Sequence, residues 1–209
     1  MSETKTISIY SDYVCPYCLL AEQAIRDVLD ARGIRIRWRP FELRPDPVPT
    51  LRVDDSYLPD VWKRSVYPMA ERLGLPITLP SISPQPRSDK AFQVFALAEE
   101  HGLGHEYSVA VMRAFFLEGK DIGESEVLAD IAASLGLDRQ QALSALADGR
   151  YLLHHQAALR HAVNEAHVRS VPTIIVGNKR FSGVPDLADF QQALNELLQF
   201  EQEVSRQEN

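Results

Sequence analysis

The only two cysteines of the chain stand two residues apart, in Cys15-Pro16-Tyr17-Cys18. An alternating strand pattern precedes them and a helical pattern follows, so the pair lies where a strand turns into a helix. Cys15 is then at the helix N-terminus, where unpaired backbone N–H groups and the helix dipole favour a negative charge on its sulfur. Cys18 lies one turn further along and can attack a mixed disulfide formed at Cys15. The motif therefore predicts a redox couple, with Cys15 as the nucleophile and Cys18 as the resolving thiol.

The residues between the thiols, Pro16 and Tyr17, fit this interpretation better than two alternatives. Pro16 suits the first helical turn, because its missing N–H needs no partner there and its fixed φ is helical.

A zinc site would need four ligands, and the chain has no second CxxC and no spaced Cys/His pair. His101 and His105 are four apart, but residues 102–104 contain two glycines that break the helix which would align them. Two cysteines that merely fill the core are the second alternative, which the intervening proline disfavours. We therefore predict no metal site.

The elements around the motif alternate between strand and helix. Thr6 to Ser11 alternates apolar and polar residues and predicts a strand. Leu19 to Ala31 has helical spacing, with Gly33 as a natural C-cap, and Ile34 to Phe41 predicts a second strand. These elements form a βαβ unit with the CPYC turn at its strand-to-helix junction.

Two long segments follow this unit. The first, from Arg44 to Arg87, is rich in proline, which predicts mostly loop with one short helix near Leu58 to Leu73. The second, from Ser88 to His167, has helical spacing throughout and predicts four or five short helices, the fifth from Gln156 to Ala166. Asp138 is expected to cap one of them. Aromatic residues of this layer are core candidates first and substrate-groove candidates second.

The C-terminal part returns to strand patterns. Residues 171–176 predict a strand that begins at a Val-Pro bond, Gly177-Asn178 a hairpin turn, and Lys179 to Ser182 the return strand. Asp186 is placed to cap a last helix. Residues 201–209 are charged and predict a frayed tail.

Composition limits the classes of function. An apolar fraction of 45% over 209 residues is sufficient for one well-packed domain with a sizeable insertion. The formal net charge of -7 gives nucleic-acid binding no electrostatic support. The polar N-terminus lacks the basic and apolar regions of a signal peptide, and no apolar run is long enough to span a membrane. We therefore expect a soluble, cytoplasmic protein, in which a CxxC is catalytic or sensing rather than structural.

Four stretches of the chain, taken in order, resemble the DsbA family, and within it the cytoplasmic FrnE-like branch. They are Asp12-Tyr13-Val14-Cys15-Pro16-Tyr17-Cys18, Trp38-Arg39-Pro40-Phe41-Glu42-Leu43, Phe116-Leu117-Glu118-Gly119-Lys120-Asp121-Ile122 and Val171-Pro172-Thr173. The resemblance implies an α/β, thioredoxin-like fold (βαβ…ββα) with a large inserted all-helical subdomain. The expected boundaries are residues 1–50 and 168–200 for the thioredoxin-like domain, 51–167 for the helical insertion and 201–209 for the polar tail.

The resemblance also implies a substrate-binding loop. Pro172 is expected to be the cis-proline opposite Cys15, with the Val171 backbone beside it available to pair with an extended substrate segment. The chain departs from the family where glycines are expected before this proline, since His167 and Ser170 stand there. The acid that thioredoxin carries six residues before its first cysteine is also missing, and Asp12, three residues before Cys15, cannot be assumed to replace it. The roles of Asp12 and His167 stay open at this stage.

The leading prediction of function is a thiol-disulfide oxidoreductase that acts on disulfide- or thiol-containing proteins or small molecules. It requires no bound cofactor, and glutathione is a candidate redox partner. The alternative is a glutathione-dependent isomerase or transferase that resembles the hydroxychromene-carboxylate isomerase and kappa-class enzymes, which usually carry serine at the nucleophile position. Cys18 favours redox chemistry, because a resolving thiol has no task in the isomerase reaction. A non-catalytic interaction module would leave the CxxC unexplained. The sequence assigns neither the direction of exchange nor the oligomeric state.

Overall fold

Four strands form one mixed sheet in the computed structural model, which describes residues 5–207. Residues 1–4 of the polar N-terminus and residues 208 and 209 of the predicted tail lie outside the described residues. The sheet order is β2-β1-β3-β4. The strands are β1 (Thr6–Ser11), β2 (Arg35–Pro40), β3 (Thr173–Val176) and β4 (Lys179–Ser182).

Nine α-helices lie within residues 5–207, most of them between β2 and β3. They are α1 (Pro16–Asp30), α2 (Tyr57–Val61), α3 (Tyr67–Arg72), α4 (Asp89–Glu100), α5 (Gly104–Phe116), α6 (Ser125–Ser134), α7 (Arg139–Asp148), α8 (Leu152–Arg160) and α9 (Leu187–Gln207). A π-helical turn at Trp62–Val66 joins α2 to α3, and a second at His161–Glu165 extends α8.

The sheet pairing determines where the motif residues lie. β1 and β2 are parallel, so a crossover helix must connect them, and α1 fulfils that role. Gly33 adopts a left-handed φ of 63° just after α1, as its predicted capping position requires. β3 runs antiparallel to β1 with Tyr10 opposite Thr173. This register brings the Pro172 loop beside the end of β1, where the CPYC turn begins.

One apolar core joins the sheet to the helical layer. It includes Ile9 and Leu19 from the βαβ unit together with Phe92 and Phe115 from the helices. The aromatic residues of the layer are therefore core residues, as predicted, and the α/β thioredoxin-like fold with a helical insertion is confirmed. The numerical domain boundaries stay a prediction.

In residues 5–207 no helix is both long and apolar enough to cross a membrane.

Several local predictions can be compared with the structure. Asp138 caps α7 by accepting hydrogen bonds from two backbone N–H groups, and Asp186 does the same at α9. The fifth α-helix of residues 88–167, α8, begins at Leu152, four residues before the predicted start at Gln156. α9 continues to Gln207, so residues 201–207 of the predicted tail are helical. The segment is rich in Glu, Gln and Arg, whose high helix propensities favour continuation of the helix.

Candidate active site

The CPYC turn has the local geometry that the sequence predicts. Cys15 is the N-cap residue of α1, with an extended backbone at φ -94° and ψ 109°, and Pro16 occupies the first helical turn. The Cys15 N–H donates to the Asp12 carbonyl at 3.1 Å, and the Cys18 N–H donates to the Cys15 carbonyl at 3.1 Å. These bonds fix both thiols on the first turn of the helix.

The two thiols are reduced and lie against the predicted proline loop. Cys15 is 5% exposed and Cys18 is fully buried. The Cys15 thiol donates to the Val171 carbonyl with an Sγ···O distance of 3.5 Å, across 156 residues of sequence. The Val171–Pro172 peptide bond is cis. The structure therefore brings together Cys15, Cys18, Val171 and Pro172, while their catalytic and binding roles stay predictions.

Burial makes the Cys18 thiol difficult to ionise. The pKa of Cys18 is raised well above its ordinary value, mainly because burial removes water from the thiolate. The neighbouring Cys15 and the negative charge of Asp12 raise this pKa further, whereas a backbone group of Asp12 lowers it. Cys18 therefore needs a base before it can act as a nucleophile.

Alkylation of the reduced protein should modify Cys15 before Cys18. Cys18 is fully buried, so the reagent reaches its sulfur slowly. Its pKa is also raised, so only a small fraction of Cys18 is the reactive thiolate. Peptide mapping after brief exposure to iodoacetamide near neutral pH measures the order. Cys15→Ser is the matched control and should be labelled slowly at Cys18. Faster labelling of Cys18 than of Cys15 in the native protein would reverse the assigned roles.

Asp12 is a buried carboxyl group immediately before the motif. It is 1% exposed and accepts hydrogen bonds from the Ser88 hydroxyl at 2.6 Å, the Leu43 N–H at 2.7 Å and the Val14 N–H at 3.3 Å. These donors favour the carboxylate, but burial outweighs them and raises the pKa of Asp12 to about 6, with a smaller contribution from the negative charge of Glu42. Asp12, three residues before Cys15, can therefore gain and lose a proton near neutral pH.

The raised pKa of Asp12 predicts a pH dependence of stability in the reduced protein. Folding increases the proton affinity of Asp12, so the resulting stabilisation is fully present below pH 3.8 and is lost as the pH rises through about 6. The difference between these two pKa values corresponds to about 3 kcal/mol in the free energy of unfolding. Urea unfolding of the native protein and of Asp12→Asn across this range isolates the effect. A difference between the two proteins that does not change with pH would contradict it.

The helical insertion contacts the motif from the side of α2 and the adjoining π-helical turn. The Tyr17 hydroxyl donates to Ser65 Oγ at 2.7 Å, which connects the CPYC motif to this turn.

A cavity of about 60 Å³ lies beside Asp12 and Pro16, with Trp62 and Phe116 in its apolar wall. A buried water needs about 10–15 Å³ of such space, so the cavity is large enough for several waters or a small apolar group.

None of the histidines considered in the sequence forms a described hydrogen bond with Cys15 or Cys18. α4 ends before His101 and α5 begins at Gly104, so the two histidines do not share a helix. His105 Nδ1 accepts from the Trp38 indole N–H at 3.1 Å. His167 has the left-handed conformation suggested for it, with φ 51°, and its side chain is exposed. Within residues 5–207 no group of three or more His, Cys, Asp or Glu side chains could hold a metal ion.

Sequence reasoning missed the residues that hold Asp12 and Tyr17. Ser88 precedes α4, where a serine predicts a cap, yet its hydroxyl donates to Asp12 instead. Ser65 lies in a helical stretch and carries no local signal. Both contacts join segments far apart in sequence, so no spacing pattern could reveal them.

A parallel βαβ unit, a CxxC at the start of its helix and a cis-proline loop against the first thiol together define the site of a thioredoxin-fold dithiol protein. Residues 6–195 match the family described as the DSBA-like thioredoxin domain. A relative from Bacillus subtilis (strain 168), the uncharacterized protein YwbO, is 39% identical over 194 residues, which cover 92% of this chain and 97% of YwbO. The chain belongs to the DSBA-like thioredoxin domain family.

Solved structures of the same fold include proteins with different reported activities. A probable DsbA oxidoreductase from Streptomyces coelicolor aligns with a TM-score of 0.75 and 22% identity, over 92% of this chain and 89% of that one. A 2-hydroxychromene-2-carboxylate isomerase aligns with a TM-score of 0.77 and 20% identity, over 95% and 98%. The cytosolic disulfide reductase DsbM from Pseudomonas aeruginosa with GSH aligns with a TM-score of 0.67 and 21% identity, over 96% and 99%. At these identities the likeness supports the fold and does not separate the activities.

Proposed function

We propose that this protein is a thiol-disulfide oxidoreductase in which Cys15 is the nucleophile and Cys18 the resolving thiol. The observation that carries the proposal is the placement of Cys15 at the start of α1 with the buried Cys18 one turn further along the same helix. A second thiol held against the first has a use in disulfide exchange and none in glutathione-dependent isomerisation. The Cys15 contact with the Val171 carbonyl supports the adjacent loop as the place where substrate binds.

The proposed reaction transfers one disulfide in two steps. The Cys15 thiolate attacks a substrate disulfide, forms a mixed disulfide and releases one substrate thiolate. Cys18 then gives its proton to the Asp12 carboxylate and attacks Cys15 Sγ, which forms the Cys15–Cys18 disulfide and releases the second substrate thiolate. The proton on Asp12 passes to that leaving thiolate or, through the adjoining cavity, to solvent. The substrate is reduced by two electrons and the protein is oxidised by two, and the reverse sequence oxidises a dithiol.

Glutathione in the cytoplasm is the proposed redox partner. The fold shared with the cytosolic disulfide reductase DsbM, whose structure is with GSH, supports this assignment. Membership of the FrnE-like branch remains a prediction. A glutathione-dependent isomerase is the second candidate, because the isomerase structure aligns as well as the oxidoreductase does.

Two assays run side by side test the proposal. The protein should reduce insulin disulfides in the presence of glutathione and should not isomerise a glutathione adduct of a hydroxychromene carboxylate. Cys18→Ser should lose insulin reduction under turnover conditions. Isomerisation that survives Cys18→Ser, together with no reduction of insulin, would favour the second candidate.

A further inference from the structure

An open cavity of about 500 Å³ lies toward the end of α1 that is remote from the CPYC motif. It is bounded by the C-terminal half of α1, the start of β2 and the turn between α4 and α5. Arg26 in its wall lies about 16 Å along the helix axis from Cys15, at about 1.5 Å per residue. Small-molecule sites have volumes of about 300–1,000 Å³, and the exchange steps above do not use this cavity. We call it the distal cavity.

A buried ion pair fixes one cation of the distal cavity. Glu22 is fully buried, and Arg26 donates to it from Nε to Oε1 at 2.8 Å and from Nη2 to Oε2 at 2.5 Å. A buried carboxylate is costly without such a partner, so the guanidinium is held in one orientation. Two of its five N–H groups bond Glu22, and the other three have no hydrogen-bond partner among the described residues. The Arg26 side chain is 34% exposed and lines the cavity, so these donors can bind a ligand.

The other charges of the distal cavity have both signs and are not paired. Arg35 and Arg37 line it from β2, and Asp30, Glu99 and Glu106 line it from the helices. None of these five side chains forms a hydrogen bond or an ion pair with another described residue. A simple anion would be attracted by the arginines and repelled by three carboxylates, and a simple cation would meet the reverse. A ligand that carries both charges meets an opposite charge on each side.

His105 gives the distal cavity a local reporter. It lines the cavity, and its Nδ1 accepts from the Trp38 indole N–H at 3.1 Å, with the two rings stacked at an interplanar angle of 19°. This bond leaves Nε2 as the ring nitrogen that a ligand can reach. A bound ligand should therefore change the environment of the Trp38 indole N–H. The other tryptophan, Trp62, lines the small cavity beside the CPYC motif instead.

We propose that the distal cavity is a second ligand site, which binds a zwitterion that carries carboxylate and ammonium groups, either a free amino acid or a short peptide. The ligand carboxylate binds the fixed guanidinium of Arg26 and the arginines of β2. The ligand ammonium group binds the carboxylates on the helical side of the cavity. The site does not depend on the proposed disulfide exchange, because it includes no residue of the CPYC motif or of the Pro172 loop.

Two zwitterions and one simple anion test the site: glutamate, S-methylglutathione and inorganic phosphate. S-methylglutathione is a peptide whose sulfur is blocked, so it cannot exchange with Cys15. Titration into the nitrogen-15-labelled protein, followed through the Trp38 indole N–H resonance, measures binding at the distal cavity, and Trp62→Phe assigns the two indole signals. We expect a saturable shift with at least one zwitterion and none with phosphate. Tighter binding of glutamate identifies a free amino acid as the ligand, and tighter binding of S-methylglutathione identifies a peptide.

Two variants remove one charge of each sign from the distal cavity. Arg35→Gln and Glu106→Gln are at exposed positions without described partners, so both should fold as the native protein does. Each should raise the Kd of the tighter zwitterion by about tenfold, because each removes one charged contact. Arg72→Gln, at an exposed position of α3 outside the cavity, is the matched control and should leave the Kd unchanged. Far-UV circular dichroism checks the fold of each variant.

The outcomes separate this inference from the proposed function. A Trp38 resonance that neither zwitterion shifts overturns the inference, as does a Kd that Arg35→Gln and Glu106→Gln leave unchanged. Phosphate that binds as tightly as the zwitterions also overturns it, because the carboxylates of the cavity then have no part in recognition. None of these results affects disulfide exchange at Cys15, and a native protein that fails to reduce insulin overturns the proposed function alone.

Discussion

Replacement of Cys15 by serine should abolish disulfide exchange, whereas replacement of Cys18 by serine should leave the first attack and trap its product. Without the Cys15 thiolate no mixed disulfide forms, and the loss in rate should be at least about a thousandfold, because a serine hydroxyl is not ionised near neutral pH. Without Cys18 the mixed disulfide has no intramolecular exit. Non-reducing electrophoresis and mass spectrometry after mixing with reduced-carboxymethylated and native insulin measure both effects.

The two serine variants control for each other, since each keeps one thiol of the motif. Native insulin should form a covalent adduct with Cys18→Ser only, and the carboxymethylated insulin, which has no disulfide, should form none. Equal residual turnover in the two variants would show that the thiols do not act as a couple.

Replacement of Asp12 by asparagine should slow the resolving step by about a hundredfold at neutral pH, which is the lower end of the range for removal of a general base. Asparagine keeps the volume of the side chain and one acceptor oxygen for the donors around it, but it takes up no proton. With a chromogenic aryl disulfide, dithiobis-nitrobenzoate, attack by Cys15 releases one coloured thiolate and resolution by Cys18 releases a second. In Asp12→Asn this second phase should also lose its dependence on pH near 6, while the first phase remains. Stopped-flow absorbance across that pH range measures both effects.

Asp27→Asn is the matched control for this prediction, because Asp27 is an exposed acid on the same helix as Cys18. It should leave the second phase unchanged. A second phase in Asp12→Asn that keeps both its rate and its pH profile would remove Asp12 from the proton path.

The local parts of this structure could be predicted from the sequence because their signals are local. The period-two alternation of Thr6 to Ser11 and the helical spacing after Pro16 are properties of adjacent residues, and β1 and α1 follow them closely. The N-cap of α7 at Asp138 is another case of this kind. The proximity of Pro172 to Cys15 came instead from family resemblance, since no periodicity relates residues so far apart.

The electrostatic environment of the site could not be predicted, because it depends on tertiary contacts. The Asp12 carboxylate is held by Leu43 and Ser88, which are 31 and 76 residues away in sequence. Its raised pKa follows from burial under the helical insertion rather than from its own spacing to the cysteines. The buried contact between His155 Nε2 and Glu42 Oε1, at 2.6 Å, likewise has no sequence signal, because the two residues are 113 apart and His155 follows the exposed His154.

The redox equilibrium of the Cys15–Cys18 pair in glutathione buffers tests the central claim most directly. The reduced and oxidised protein, quenched with acid and alkylated, can be separated by mass at each ratio of glutathione to glutathione disulfide. We predict one reversible two-electron transition, in which the intact protein loses two hydrogens and peptide mapping finds an internal Cys15–Cys18 disulfide. A protein that only accumulates a stable glutathione adduct on Cys15, with Cys18 remaining a free thiol at every ratio, would contradict the account.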